Sequence, residues 1–144
     1  MNMIINETLQ LYPPVVMIMR MVEKEVKLGA NNLIIPPNTE VIITPLAPHH
    51  DPEIWGEHVQ FFKPERFSEG ILTAAHNKFG FVPFSSGPRN CVGMNFAVNQ
   101  AKIAFTMILQ NYSLPVSPGY IHSPIHGLVS CPQYGLQLTL HPIE

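Results

Sequence analysis

Charged residues are scarce in this chain. Only 12% of its 144 residues are charged, whereas about 25% is usual for a soluble domain. The eight Lys and Arg residues are scattered along the sequence, and the formal net charge is −2. Because a nucleic-acid-binding surface needs clustered basic residues, the sequence excludes nucleic acid as a partner.

Long apolar runs and paired cysteines are also missing. No stretch reaches the ~18 uninterrupted apolar residues that a membrane-spanning helix needs. Cys91 and Cys131 lie far apart in the sequence and form no disulfide framework, which favours reduced thiols. Hydrophobic residues nevertheless make up 46% of the chain, so we expect apolar faces that a partner normally covers.

Seven histidines raise the alternative of a zinc site. The chain has no Cys-x-x-Cys pair and no His-x-x-x-His on a predicted helix, so the spacing of ligands argues against zinc. We interpret the adjacent His49 and His50 as hydrogen-bonding residues of an irregular segment. For His122 and His126 the sequence predicts no partner.

The most informative run is PFSSGPRNCVG at residues 83–93, which places Cys91 in a loop between two glycines. Apolar residues at helical spacing then predict a helix from Met94 to Tyr112. The thiolate is the form of cysteine that binds metals, and a helix N-terminus or a nearby cation favours it. The alternative is that Cys91 is an inert, packed side chain. The loop context favours a thiolate presented to a metal.

Three neighbours of Cys91 support this interpretation. Gly87 permits a backbone turn that a side chain would forbid, and Gly93 lets the helix start approach a flat, bulky group. Arg89 supplies a permanent charge suited to a carboxylate.

The pattern Phe84-x-x-Gly87-x-Arg89-x-Cys91-x-Gly93 resembles the haem-ligand signature of the cytochromes P-450, the haem-thiolate monooxygenases. This resemblance implies that Cys91 is the axial thiolate ligand of the iron in haem b. It also implies that Arg89 pairs with a haem propionate and that Phe84 packs beside the ligand loop. The thiolate would donate electron density that favours O–O cleavage.

Other segments resemble the same family, in the order that the family requires. Residues 64–67 (PERF) resemble its arginine-bearing meander, residues 6–14 its Glu-x-x-Arg helix, and residues 49–55 the segment between them. Residues 117–124 and 132–135 resemble the tail of plant members that oxidise gibberellins, cytokinins and triterpenoids. Residues 15–17 and 125–130 would line the substrate pocket, or alternatively belong to the core.

One position departs from the resemblance. Where the family has arginine three residues after the helix glutamate, this chain has Gln10, so Glu7 and Arg66 would form a pair instead of a triad. A neutral amide lacks the charge and the forked geometry of guanidinium. We therefore expect a weakened charge network of Glu7, Gln10 and Arg66. The alternative is that Glu7 and Arg66 are ordinary solvated charges.

The resemblance covers residues 1–144 as the C-terminal haem-ligand segment of the enzyme, truncated at its N-terminus. It implies a mainly α fold with small β-sheets (α+β). Paired strands are expected between Val26 and Ile43, with turns at residues 29–32 and 36–38. The alternation of Leu136, Leu138 and Leu140 with polar residues predicts a half-buried strand.

The implied function is insertion of one oxygen atom from O2 into a small apolar substrate, with electrons from NADPH through a reductase. The alternative is a non-catalytic fragment unable to hold haem. The resemblance places full-length members in the endoplasmic reticulum membrane, whereas this chain, having no span, is expected to be cytosolic or of unknown location. Lys78 and Lys102 are candidates for the reductase-facing surface. Arg20 is read as a surface residue, with a haem propionate as the alternative partner.

Overall fold

The computed structural model describes residues 1–29, 32–77 and 79–143. Lys78 and the centre of the predicted turn at residues 29–32 lie outside these ranges. The helices are α1 (Asn2–Leu11), α2 (Leu46–His49), α3 (Pro52–Trp55), α4 (Ile71–Ala75) and α5 (Met94–Leu109), with 3₁₀ helices at Pro64–Phe67 and Gly87–Arg89. The strands are β1 (Ile18–Val22), β2 (Val26–Leu28), β3 (Leu33–Ile35), β4 (Thr39–Ile43), β5 (Tyr112–Ser113), β6 (Pro124–His126), β7 (Ser130–Pro132) and β8 (His141–Pro142).

The strands form two-stranded antiparallel sheets rather than one layer. β1 pairs with β4, so that Ile18 lies opposite Ile43 and Val22 opposite Thr39. The β2–β3 hairpin is inserted between them in the chain. The prediction of pairing within residues 26–43 was therefore correct for β2 and β3 but wrong for β4. The partner of β4 lies upstream, where the sequence analysis predicted no strand.

A small aromatic core fixes the irregular segment between α2 and the cysteine loop. Its buried members are Trp55, Val59, Phe67 and Ala75. The ring of Phe81 packs on it, with centroids 5.4 Å from Phe67 and 6.1 Å from Trp55. This core holds the chain in place just before the loop that carries Cys91.

Helix α5 is shorter and more exposed than predicted. It ends at Leu109, whereas the prediction extended to Tyr112, which instead pairs with Pro142 in the β5–β8 sheet. None of its residues is buried. Its apolar side chains, such as Phe96 and Phe105, are 73% and 50% exposed, so the face expected to be covered has no cover within the described residues.

The C-terminal region pairs without the predicted burial. Leu138 bridges to Val116, but Leu136 and Leu140 are both more than half exposed. The prediction of a half-buried strand at residues 136–140 was therefore wrong, because no second layer among the described residues covers the alternating leucines. The overall mixture of helices and small antiparallel sheets confirms the predicted α+β class. No described helix is long and apolar enough to cross a membrane.

Candidate functional site

The cysteine loop is closed by a backbone hydrogen bond. The amide of Cys91 donates to the carbonyl of Phe84 over 3.0 Å, and the amide of Asn90 donates to the carbonyl of Gly87. Cys91 is a free, exposed thiol, three residues before the start of α5 at Met94. The loop therefore holds the sulfur on an open face at the N-terminal end of a 16-residue helix.

Two loop residues adopt left-handed backbone conformations. Gly87 has φ +78°, which is the turn that the sequence analysis assigned to glycine. Ser85 has φ +66° although it carries a side chain. Its amide donates to the carbonyl of Val82, and its hydroxyl accepts a hydrogen bond from Nη2 of Arg20 over 3.3 Å. These contacts hold Ser85 in a conformation that side chains normally avoid.

The two arginines lie differently around this loop. Arg89 is exposed and has no salt bridge among the residues that the structure describes. Arg20 is partly buried on β1 and reaches the loop through Ser85. It is thus not the purely surface residue that the sequence favoured. Phe84 is partly buried beside the loop.

Glycine at position 93 is not required by its neighbours in the chain. A side chain added there would meet only Sγ of Cys91, at an ordinary contact distance of 3.9 Å. The neighbouring Val92 is fully exposed, so the space beside the loop is open. The loop thus presents a thiol beside an uncovered face, with guanidinium groups available for carboxylates. This donor set fits an iron porphyrin, which needs a thiolate and partners for its propionates.

A buried ion pair connects α1 to the meander. Oε2 of Glu7 accepts a hydrogen bond from Nε of Arg66 over 2.9 Å, and its other oxygen accepts from the amide of Lys63 over 2.6 Å. The side chain of Glu7 is fully buried, and that of Arg66 is 12% exposed. The pairing of Glu7 with Arg66 is thereby present, and the interpretation of both as solvated charges is wrong.

Arg66 also organises the meander backbone. Its Nη2 donates to the carbonyls of His58 and Phe61, each over 2.9 Å. One guanidinium therefore joins the helix carboxylate to several turns of the meander. The role of the backbone amide of Lys63 was missed, because no sequence signal reveals a backbone donor.

Gln10 occupies a fully buried position one turn after Glu7. Its Nε2 donates to the carbonyls of His49 and Val59, at 2.5 and 3.5 Å. These two acceptors fix the orientation of the amide, because a flipped amide would turn its oxygen toward two carbonyl oxygens. The Oε1 atom is consequently buried with no hydrogen-bond partner among the described residues.

Replacing Gln10 by arginine is expected to stabilise the chain. Guanidinium is a donor only, so Gln10→Arg removes an orphaned buried acceptor whose cost is about 1–3 kcal/mol. It also retains donors for the two carbonyls. The measurement is the free energy of unfolding by chemical denaturation. Gln10→Met is the matched control, because it removes the orphan acceptor but also both donors. If Gln10→Arg is no more stable than Gln10→Met, donation by guanidinium is not the cause.

His49 and His50 both bond to the backbone, as the sequence predicted. Nε2 of His49 accepts from the amide of Val82 over 2.9 Å, and Nε2 of His50 lies 3.0 Å from the carbonyl of Leu11. Burial, followed by the charge of His50, lowers the pKa of His49 from 6.5 to about 4. His49 is therefore neutral at neutral pH.

Of the two segments expected to line a substrate pocket, residues 125–130 are bonded to the chain just before residues 15–17. The amide and hydroxyl of Ser130 donate to the carbonyls of Pro14 and Pro13, over 2.8 and 2.7 Å. This places the β6–β7 hairpin beside the chain that leaves α1. Residues Val15 and Met17 are 41% and 45% exposed, whereas Val16 is buried.

A small cavity of about 190 Å³ lies at this junction. His122 lines it and has two partners that the sequence did not predict. The hydroxyl of Tyr12 lies 3.0 Å from its Nε2 and that of Tyr120 lies 3.1 Å from its Nδ1. The spacing Tyr120-x-His122 was the only available signal for the second contact. Within the described ranges, no group of three His, Cys, Asp or Glu could hold a metal ion.

An exposed thiol before a long helix, braced by an ion-paired meander, is an arrangement suited to presenting sulfur to a planar cofactor. The sequence profile of the family Cytochrome P-450 matches residues 1–140. The chain belongs to the cytochrome P-450 family.

Named relatives are plant proteins of this family. Cytochrome P-450 CYP749A22 of Panax ginseng is 54% identical over 99% of this chain, and 7-deoxyloganic acid hydroxylase of Catharanthus roseus is 44% identical over 99% of it. The chain spans 27% of the length of each. The solved structure of retinoic acid-bound cyanobacterial CYP120A1 matches 99% of the chain, with a TM-score of 0.85 and 28% identity, and the match covers 32% of that protein.

Proposed function

We propose that residues 1–144 are the haem-ligand segment of a plant-type P-450 monooxygenase, in which the thiolate of Cys91 would bind the haem iron. The observation that carries this proposal is the exposed thiol on a closed loop at the N-terminal end of α5. The full enzyme would insert one oxygen atom from O2 into a small apolar molecule. Its electrons would come from NADPH through a reductase.

In this proposal the surrounding residues bind and orient haem b. When bound, the cofactor supplies activation of O2, and the thiolate of Cys91 tunes it electronically. Arg89 would pair with a propionate, and Arg20, which is bonded to Ser85 of the loop, would pair with another. Phe84 closes the loop backbone through its carbonyl, Gly87 makes the turn, and Gly93 leaves room for the porphyrin face. The ion pair of Glu7 with Arg66 fixes the meander, and Gln10 is bonded separately to the carbonyls of His49 and Val59.

The substrate-facing part of the segment is small in this proposal. The chain after α1 and the β6–β7 hairpin form one wall, joined through Ser130. Most of the substrate contacts would come from the remaining length of the enzyme. Two matched proteins carry the names of small organic acids, the 7-deoxyloganic acid hydroxylase and the retinoic acid-bound protein, and these names support a small organic molecule as the substrate class.

Transfer of the segment into a relative tests the function. We expect a chimera of the 7-deoxyloganic acid hydroxylase, with its matching segment replaced by residues 1–144, to hydroxylate 7-deoxyloganic acid with NADPH and a plant reductase. Cys91→Ser is expected to abolish product formation, because serine cannot supply the thiolate. The matched control is Cys131→Ser, which removes the other free thiol and is expected to keep haem bound through sulfur. Haem binding is the readout of this control, because Cys131 lies on the β6–β7 hairpin of the substrate-facing wall.

The measurement is product formation per mole of bound haem. A chimera that holds haem but forms no product, while the unmodified hydroxylase does, contradicts the monooxygenase proposal.

In the same chimera, Gln10→Arg is expected to raise haem retention by completing the charge triad. Equal retention with glutamine and arginine would falsify that role of position 10.

A second candidate concerns the 144-residue chain on its own. An open cavity of about 520 Å³ separates α1 from α5. Apart from Thr8, it is lined by apolar side chains: Met1, Ile4, Ile5, Leu9, Ala101, Phe105, Leu109 and Leu114. Because α5 buries no residue, little holds the helix against the rest of the chain. We propose that the isolated chain holds haem weakly and has no catalytic activity. Its haem dissociation constant, compared with that of the chimera, tests this.

A further inference from the structure

His49 is a buried imidazole that joins three segments around the cysteine loop. It is the last residue of α2 and is fully buried. Its Nε2 accepts from the amide of Val82, and its ring stacks on Phe81 with centroids 5.5 Å apart and planes inclined by 20°. Its carbonyl accepts from the buried amide of Gln10. One residue of α2 thus contacts both α1 and the segment that enters the loop.

These contacts define the tautomer of His49. An imidazole nitrogen that accepts a hydrogen bond carries no proton, so Nε2 is bare and the single proton of the neutral ring is on Nδ1. Nδ1 is buried without a hydrogen-bond partner among the described residues. The backbone of Gln10 and Leu9 favours a proton on the ring. These backbone groups raise the pKa of His49, but burial lowers it by more.

Val82 is connected to Cys91 by two backbone hydrogen bonds. The carbonyl of Val82 accepts from the amide of Ser85 over 3.1 Å, which fixes the left-handed residue of the loop. The carbonyl of Phe84, between them, accepts from the amide of Cys91 over 3.0 Å. The anchoring of Val82 is therefore transmitted to Cys91 through Ser85 and the adjacent Phe84.

We propose that His49 is a positioning residue for the cysteine loop, holding Val82 and thereby Cys91 through the unprotonated Nε2 of a neutral ring. The role of Cys91 in haem binding rests on the proposed function, whereas the anchoring of the cysteine loop by His49 is independent of it. Protonation of Nε2 would set a donor against the donor amide of Val82. The loop would then lose its anchor while the rest of the chain stays in place.

The charged groups around His49 are few. His50 follows it in α2's C-terminal cap and acts on it through its charge. The single carboxylate of α1, Glu7, is paired with Arg66. Asp51 accepts from the amide of Glu53 and caps α3. The segment from Phe81 to Val82 contributes no ionisable group. Loss of anchoring at acidic pH is therefore assigned to His49 itself.

The first experiment uses the unmodified, isotopically labelled 144-residue chain without haem. Nitrogen NMR of the histidine rings near neutral pH is expected to show Nε2 of His49 without a proton and Nδ1 with one. A proton on Nε2 overturns the proposal. Because haem is absent, this result is independent of whether the chain is a haem-binding segment.

The second experiment measures amide hydrogen exchange in variants. His49→Phe removes the acceptor but keeps an aromatic ring, and is expected to lower the protection of the Val82 and Cys91 amides about tenfold. His49→Gln places an uncharged acceptor near the position of Nε2 and is expected to restore the protection of both. The amide of Asn38, bonded to the carbonyl of Val22, is the internal control. His141→Gln, at an exposed histidine, is the matched variant.

Two results would overturn the anchoring role. One is unchanged protection of Cys91 in His49→Phe, which would mean that the loop holds itself. The other is equal loss of protection in His49→Gln and His49→Phe, which would mean that ring packing, rather than the acceptor, holds the loop. If His49→Phe does not fold, the tautomer and the His49→Gln variant still decide the question.

Discussion

Replacing Glu7 by glutamine is expected to lower the free energy of unfolding by about 3–5 kcal/mol, the cost of breaking a buried ion pair from one side. Glu7 is fully buried, and its two oxygens accept from Nε of Arg66 and the amide of Lys63. Glutamine keeps the shape but offers one acceptor oxygen for two donors. Its NH2 group would face one of them.

The size of this effect follows from the further hydrogen bonds that Arg66 makes outside its ion pair with Glu7. Its guanidinium also holds the carbonyls of His58 and Phe61, so an uncompensated charge at this point disturbs the meander. The measurement is chemical denaturation at neutral pH. Glu65→Gln is the matched control, because Glu65 is exposed and lies beside Arg66 in the 3₁₀ helix Pro64–Phe67. This substitution is expected to change the free energy of unfolding by less than about 0.5 kcal/mol. Equal effects of the two variants would contradict a structural role for the pair.

Acidification is expected to remove about 3 kcal/mol of stability through His49 alone. The pKa of His49 is lowered from 6.5 to about 4, chiefly by burial, so the unfolded chain binds a proton more readily than the folded chain. The contribution is complete above a pH of about 6.5 and is lost as the pH falls toward about 4. Stability therefore rises with pH across this window.

Denaturation at a series of pH values checks this expectation. The slope across the window should flatten in His49→Gln, since glutamine does not titrate, and persist in His141→Gln, where the exposed histidine is removed instead. The difference in slope between the two variants separates the contribution of His49 from that of the carboxylates, which also titrate at low pH. An unchanged slope in His49→Gln would show that the acid sensitivity has another origin.

The parts of the fold that sequence predicted are those with local signals. The loop around Cys91 was predicted to need the backbone freedom of glycine at position 87, and Gly87 is left-handed in the structure. The start of α5 follows from apolar residues at helical spacing. The meander was predicted from the PERF run, and its pairing with Glu7 is the observed salt bridge.

The parts that sequence did not predict depend on pairing at a distance. The pairing of β1 with β4 spans an inserted hairpin, and nothing within either strand specifies that partner. The same holds for the contact of Tyr12 with His122, which joins the two ends of the chain. The predicted helix α5 was too long because Tyr112 continues the helical spacing of apolar residues. In the structure Tyr112 belongs to β5 and pairs with Pro142 of β8.

The most direct test of the account is the carbon-monoxide difference spectrum of the reduced chimera, recorded for the parent and for Cys91→Ser and Cys131→Ser. We expect the red-shifted Soret band typical of thiolate ligation in the parent and in Cys131→Ser, and its loss in Cys91→Ser. A band that survives in Cys91→Ser, or a parent spectrum typical of histidine-ligated haem, would contradict the assignment of Cys91 as the ligand.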